Sequence, residues 1–148
     1  MAESTTNHGA LMVGASEMVI TQVSDRSEFY KDLYARALVL ANDSDRMAIA
    51  TVDLGTLRFG YIEILLETVS TATGIPPEHI LITTSQTHNA PGVNGRIMSP
   101  ESKDWLATNM AALANTAVDR LRPATLRVGR SPVQIGYNRR LMEDGKII

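Results

Sequence analysis

The chain contains no cysteine, so neither a disulfide nor a thiolate metal site can be built from it, and the redox compartment is left open. It has only three histidines, His8, His79 and His88, which restricts any imidazole-based centre to very few positions. An excess of one charge is also missing. Fourteen Lys and Arg stand against sixteen Asp and Glu, interspersed along the chain, for a formal net charge of -2. That balance gives no electrostatic reason to expect nucleic acid or an anionic membrane surface as a partner. Nowhere do eighteen apolar residues run together, so nothing spans a membrane as a helix. Residues 1–9 are polar and lack both a basic segment and an apolar core, so they are not a signal peptide. A cytoplasmic location is the default expectation.

What is present fits one ordinary domain. A chain of 148 residues is expected to bury roughly 70% of its unfolded surface. An apolar content of 44% with 20% charged residues is ordinary globular composition.

Residues 1–10 read as a loosely held tail. From 11 to 22, Leu11, Val13, Met18 and Ile20 are interrupted by Gly14-Ala15-Ser16, which predicts a short strand or two with a bend. The charged stretch 24–31 reads as a loop. Residues 33–40 have helix formers, but they end at the turn signal Asn42-Asp43-Ser44-Asp45 and are followed at once by the strand-like run 47–52. Two such runs around a polar turn predict a hairpin. Over 60–73, Ile62, Leu65, Leu66, Val69 and Ala72 share one helical face, and Gly74 stands where a C-terminal cap belongs. Pro76-Pro77 then forbids continuation.

The β-branched run 80–85 predicts a strand. Ser99-Pro100-Glu101 opens a second helix, with serine as cap, proline at the first position and an acid in the first turn. Leu106, Met110, Leu113, Ala117 and Leu121 supply its buried face, and Arg122-Pro123 ends it. Trp105 on this helix is expected to pack in the core. Residues 125–128 and 132–137 read as strands separated by Gly129-Arg130-Ser131, and 145–148 as the start of another. The order strand, strand, helix, strand, helix, strand predicts an α/β fold, a mixed sheet with helices packed against it in two or three layers.

Chemistry concentrates in residues 80–95, where the apolar strand gives way to small, polar, turn-forming sequence. Asn89, Pro91 and Gly92 supply the turn. Gln86 and His88, two residues apart, are expected on one face at the strand's C-terminal end, where ligands sit in open α/β sheets. The alternative for His88 is a hydrogen bond to a nearby carbonyl. Asp53 follows a nearly all-apolar strand, so it either belongs to a turn before Gly55-Thr56 or holds a histidine or arginine beside the site. Arg36 reads as a solvent-facing charge. In Asn138-Arg139-Arg140, an arginine could stabilise an oxyanion or form a solvated basic turn.

The pattern Thr84-Ser85-Gln86-Thr87-His88 followed by Pro91-Gly92, preceded by Thr73-Gly74-Ile75-Pro76-Pro77-Glu78-His79, resembles the N-terminal catalytic domain of the neutral/alkaline, non-lysosomal ceramidases, whose stretch reads T-H-T-H-S-G-P-G. Four further stretches fit in the same order: Val13-Gly14-Ala15-Ser16 with Ile20-Thr21, residues 33–40, residues 50–54 and Asn138-Arg139-Arg140. The resemblance implies that residues 11–148 are the first portion of such a domain. It implies a fold incomplete relative to the family's, and a parent enzyme cleaving the amide C–N bond of N-acylsphingosine, a lipid-like substrate. It further implies zinc as cofactor and frequent secretion.

In that family the first histidine of T-H-T-H is a zinc ligand and the second, here His88, polarises the scissile carbonyl. An arginine in the position of Arg139 lies near the metal. The ligand position is Gln86 in this chain, and a neutral amide is a much poorer zinc ligand than imidazole, so weak zinc binding at most is expected. The family's remaining ligands come from later sequence. This chain is therefore expected to be inactive alone, with a non-catalytic scaffold or binding module as the alternative, and an uncovered apolar face is expected to promote self-association.

Overall fold

A computed structural model describes residues 10–21, 31–90, 98–136, 140, 142–144 and 146–147. Strands β1 (Met12–Val19), β2 (Tyr34–Ala41) and β3 (Arg46–Val52) form an antiparallel meander, and helix α1 (Phe59–Thr73) crosses over to β4 (Ile80–Thr84), which pairs parallel with β3. Helix α2 (Pro100–Asp119) returns the chain to β5 (Arg122–Pro123), antiparallel to the start of β1. The sheet order is β4-β3-β2-β1-β5. A separate small hairpin pairs β6 (Met142–Glu143) with β7 (Lys146–Ile147). The architecture is the expected mixed sheet with helices against it, and among the described residues it has two layers.

The local signals act as their chemistry predicts. In the β2–β3 turn the Asn42 side-chain oxygen accepts from the backbone N–H of Ser44 at 2.9 Å and of Asp45 at 2.6 Å, replacing backbone partners the turn removes. Gly74 ends α1 in the left-handed region, φ 69°, its N–H bonded to the Ser70 carbonyl. Ser99 caps α2 by accepting from the Ser102 N–H at 3.1 Å, with Pro100 in the first turn. Tyr61 donates its phenol to the Lys103 carbonyl at 2.6 Å, tying the first turns of the helices together. Burial, then the nearby Asp104 carboxylate, push its pKa up, so it stays a donor.

Both helices lie on one face of the sheet, and that face is lined with small residues. Ala35, Ala37, Val39 and Ala41 of β2 and Ala48, Ala50 and Val52 of β3 are buried beneath Leu65 and Val69 of α1 and Leu106, Met110, Leu113 and Ala117 of α2. Small side chains let α2 come close enough for Ser16 on β1 to donate to the Leu113 carbonyl at 2.7 Å. At Gly14 a methyl group would stand 1.9 Å from the Ala117 carbonyl oxygen. The Gly14-Ala15-Ser16 interruption is therefore not a bend. β1 is one unbroken strand, and its glycine is the place where the helix backbone touches the sheet. Trp105 packs against the core as expected.

Two expected strands do not form among the described residues. Residues 124–136 have no regular structure, and the ladder on this side is Arg122–Pro123, where only a helix end was expected. The alternation is there, but a strand needs a partner, and these runs pair with no strand among the described residues. The apolar members are correspondingly exposed: Leu126 70%, Val128 83%, Val133 74% and Ile135 91%. The expected tail up to residue 9 and the charged loop over 24–30 lie outside the described residues. None of the helices in the described residues is long and apolar enough to cross a membrane.

Candidate functional site

Because β3 and β4 are parallel, their C-terminal ends reach the same edge of the sheet, and the two segments leaving them stay in contact. Ser85 N–H donates to the Val52 carbonyl at 3.1 Å and Thr87 N–H to the Leu54 carbonyl at 3.2 Å, carrying the parallel pattern past the end of the ladder. Leu54 and Ala90 are fully buried beneath this crossing and pin both segments to the core. The Ser85 and Thr87 hydroxyls lie 2.7 Å apart.

Between these anchors Gln86 adopts φ 55°, in the left-handed region. The regular strand ends at Thr84, so the expected alternation that would set Gln86 and His88 on one face does not hold. For a residue with a Cβ this conformation costs roughly 1–2 kcal/mol. His88 follows in a turn closed by Ala90 N–H on the Thr87 carbonyl at 3.1 Å, and its ring is exposed. Asn89 shares that turn, whereas Pro91, Gly92 and Arg139 lie outside the described residues.

Asp53 sits on the neighbouring segment and is half-buried. Its Oδ2 accepts from the Tyr34 N–H at 3.0 Å, while its own N–H donates to the Tyr34 carbonyl at 2.8 Å, a turn role that welds the end of β3 to the start of β2. The same Oδ2 lies 3.6 Å from an Arg36 guanidinium nitrogen. Arg36 is exposed, as expected, but it is not a lone solvated charge. Its Nε donates to Glu17 Oε2 at 2.6 Å and its guanidinium stacks 4.8 Å over the Tyr34 ring. The Glu17–Arg36–Asp53 chain thus crosses the sheet at the same end as the His88 turn. Glu17 carried no signal in the sequence, because its meeting with Arg36 depends on the β1–β2 register, which no local pattern encodes.

Of the two motif positions at this edge, Gln86 and His88, the one expected to be a ligand position carries an amide. Among the described residues no group of three or more His, Asp or Glu side chains is placed to hold a metal ion. His79, in the 3-10 turn Pro77–His79, is engaged elsewhere, its Nδ1 3.2 Å from the Arg46 carbonyl. The donor set described here does not fit a tetrahedral zinc site.

The fold matches that of a solved structure described as a ceramidase complexed with C2, with a TM-score of 0.63 and 17% sequence identity over 77% of this chain. This chain spans 22% of the length of that one. No family model matches the sequence, and no curated protein matches it. At that identity the likeness is one of fold, and the fold is ceramidase-like.

Proposed function

We propose that this unit forms part of a ceramidase-type amide hydrolase, in which water adds to the carbonyl carbon of an N-acylsphingosine, the C–N bond breaks, and a fatty acid and a sphingoid base are released. The observation that carries this reading is the ceramidase-like fold over 77% of the chain, coinciding with the placement of the His88 turn at the C-terminal ends of the parallel strands. In this reading His88 donates a hydrogen bond to the amide oxygen as negative charge develops there, and Arg139 adds a second donor. Asp53 acts one step back, fixing Arg36 at the rim of the site. The group that activates the water comes from sequence beyond these residues, and no step is assigned to a metal.

The test uses the natural protein encoded by the reading frame that carries this chain. It is expected to hydrolyse a fluorescent N-acylsphingosine, and His88→Ala is expected to lower kcat/KM by roughly 10²- to 10³-fold, the usual effect of one oxyanion donor. The 148-residue chain alone is expected to show no turnover, and Gln86→His alone is not expected to restore it. Gln86 itself favours a second reading, a ceramidase-like scaffold that binds without cleaving. Saturable binding of a short-chain N-acylsphingosine by a folded natural protein that never turns it over would establish that second reading instead.

A further inference from the structure

Among the described residues, two that are not glycine have a left-handed backbone, Gln86 at φ 55° and Asp144 at φ 48°. Asp144 joins β6 to β7, and aspartate in a hairpin turn enters this region readily. No turn chemistry of that kind accounts for Gln86. Its side chain is longer, exposed and without a hydrogen-bond partner among the described residues, so no local bond favours the conformation.

The hold on this residue comes from the neighbouring segment. At the end of β3 the chain bends tightly at Asp53, where the Leu54 N–H donates to the Val52 carbonyl at 2.8 Å, and the same carbonyl accepts from the Ser85 N–H at 3.1 Å. On the other side of Gln86 the Thr87 N–H donates to the Leu54 carbonyl at 3.2 Å, and before it the Thr84 hydroxyl donates to the Gly55 carbonyl at 3.5 Å. Leu54 is fully buried, as is Ala90, which closes the turn that Thr87 begins. The bend at Asp53 and the kink at Gln86 thus stand across from one another, bracketed by the same two backbone bonds. A conformation this costly persists only where its surroundings hold it, and such residues gather at functional sites.

We propose that Gln86 is a positioning residue for His88 that acts through its backbone and not through its amide. The held kink directs the chain from the strand into the turn 87–90, where the imidazole is exposed at the sheet's C-terminal edge and has no partner among the described residues. A residue free to leave the left-handed region would let that turn, and the imidazole with it, sample other positions. The inference rests on the hydrolase reading for what His88 touches, and on the geometry alone for the held kink.

Three substitutions separate backbone from side chain, because glycine enters the left-handed region freely, asparagine readily and valine poorly. In thermal unfolding of the 148-residue chain, Gln86→Gly is expected to raise Tm by about 3 °C and Gln86→Val to lower it by about as much. In the natural protein, Gln86→Gly is expected to lower kcat for the fluorescent N-acylsphingosine roughly tenfold with KM changed by less than about threefold, since the imidazole loses its fixed place. Gln86→Asn, which holds the kink with a shorter amide, is expected to recover most of that rate. NMR relaxation of the 148-residue chain reads the same hold without substrate: the His88 backbone order parameter is expected near about 0.85 in the wild type and in Gln86→Asn, and below about 0.6 in Gln86→Gly.

A glycine variant that is no more stable than the wild type, or that keeps a rigid His88, would overturn the proposal. So would an asparagine variant that loses as much rate as the glycine one, because that loss would belong to the side chain. A natural protein without turnover, whose His88 still loosens in Gln86→Gly alone, would sink the hydrolase reading and support the positioning role. Turnover in the natural protein with His88 equally rigid in every variant would do the reverse.

Discussion

The two faces of the five-stranded sheet are made from the same strands and share their hydrophobic alternation, yet they do different work. On β2 the inner residues are Ala35, Ala37, Val39 and Ala41, and the outer ones Tyr34, Arg36, Leu38 and Leu40, so the larger apolar side chains point away from the helices. Burial therefore does not follow side-chain size here. It follows how closely the helix backbone must approach, and α2 approaches at Gly14 and Ser16 to within hydrogen-bonding range. The outer face keeps bulkier residues because nothing in the described chain has to fit against it. Its charged end, with Glu17, Arg36 and Asp53, stands beside the candidate site.

The sharpest way to break this contrast is to enlarge the inner face. Gly14→Val places side-chain carbon where the Ala117 carbonyl stands and is expected to cost more than about 3 kcal/mol, seen as loss of the cooperative thermal transition or of soluble protein. Removing volume from the same interface comes next. Leu106→Ala is expected to cost about 3 kcal/mol, a fall in Tm of roughly 10 °C for a domain of this size. Ser16→Ala, which removes the hydroxyl that donates from β1 to the Leu113 carbonyl of α2, is expected to cost about 1 kcal/mol by urea denaturation.

On the outer face the effects should shrink. Glu17→Gln is expected to change monomer stability by less than about 1 kcal/mol and to lose even that at high salt, since both partners are about half exposed. An equal loss at high and low salt would show that Glu17 is held more rigidly than an ordinary surface pair. Leu38→Ala should move monomer stability by no more than about 0.5 kcal/mol. A loss near that of Leu106→Ala would mean that the outer face is covered even in the monomer.

The smallest expected effect concerns pH. The Glu101 carboxyl, fully exposed in the first turn of α2, is held below its ordinary range first by a backbone N–H at the helix start and then by Ser99. Its contribution is present above the unfolded pKa of 4.5 and is lost as pH falls through the lower folded value. Glu101→Gln should flatten the acid side of the stability profile slightly and leave it unchanged at neutral pH.

Most of the secondary structure was legible because it rests on chemistry within a few residues. The Asn42 turn, the Gly74 cap, the Ser99-Pro100 helix start and the five-residue strand before Gln86 each carry their own signal. The candidate site was legible only in part. His88 could be found as a histidine after a strand, but the left-handed backbone of Gln86, between the bonds of Ser85 to Val52 and Thr87 to Leu54, carried no local signal. The Arg36 network was missed for the same kind of reason, since Glu17, Arg36 and Asp53 are far apart in the chain and meet only through strand register.

The alternation of 125–128 and 132–137 shows the reverse failure. The alternation predicted strands that the structure does not form there, because pairing is not a local property and these runs pair with no strand among the described residues. Sequence alone determined where strands, helices and turns could form, because propensity, capping and turn chemistry act over a handful of residues. Only the tertiary structure decided which sheet face is the inside, that Gly14 is a point of contact, and that Arg36 is held between two carboxylates. Those outcomes depend on backbones and side chains brought together across the chain, where hydrophobic pattern is the same for either choice.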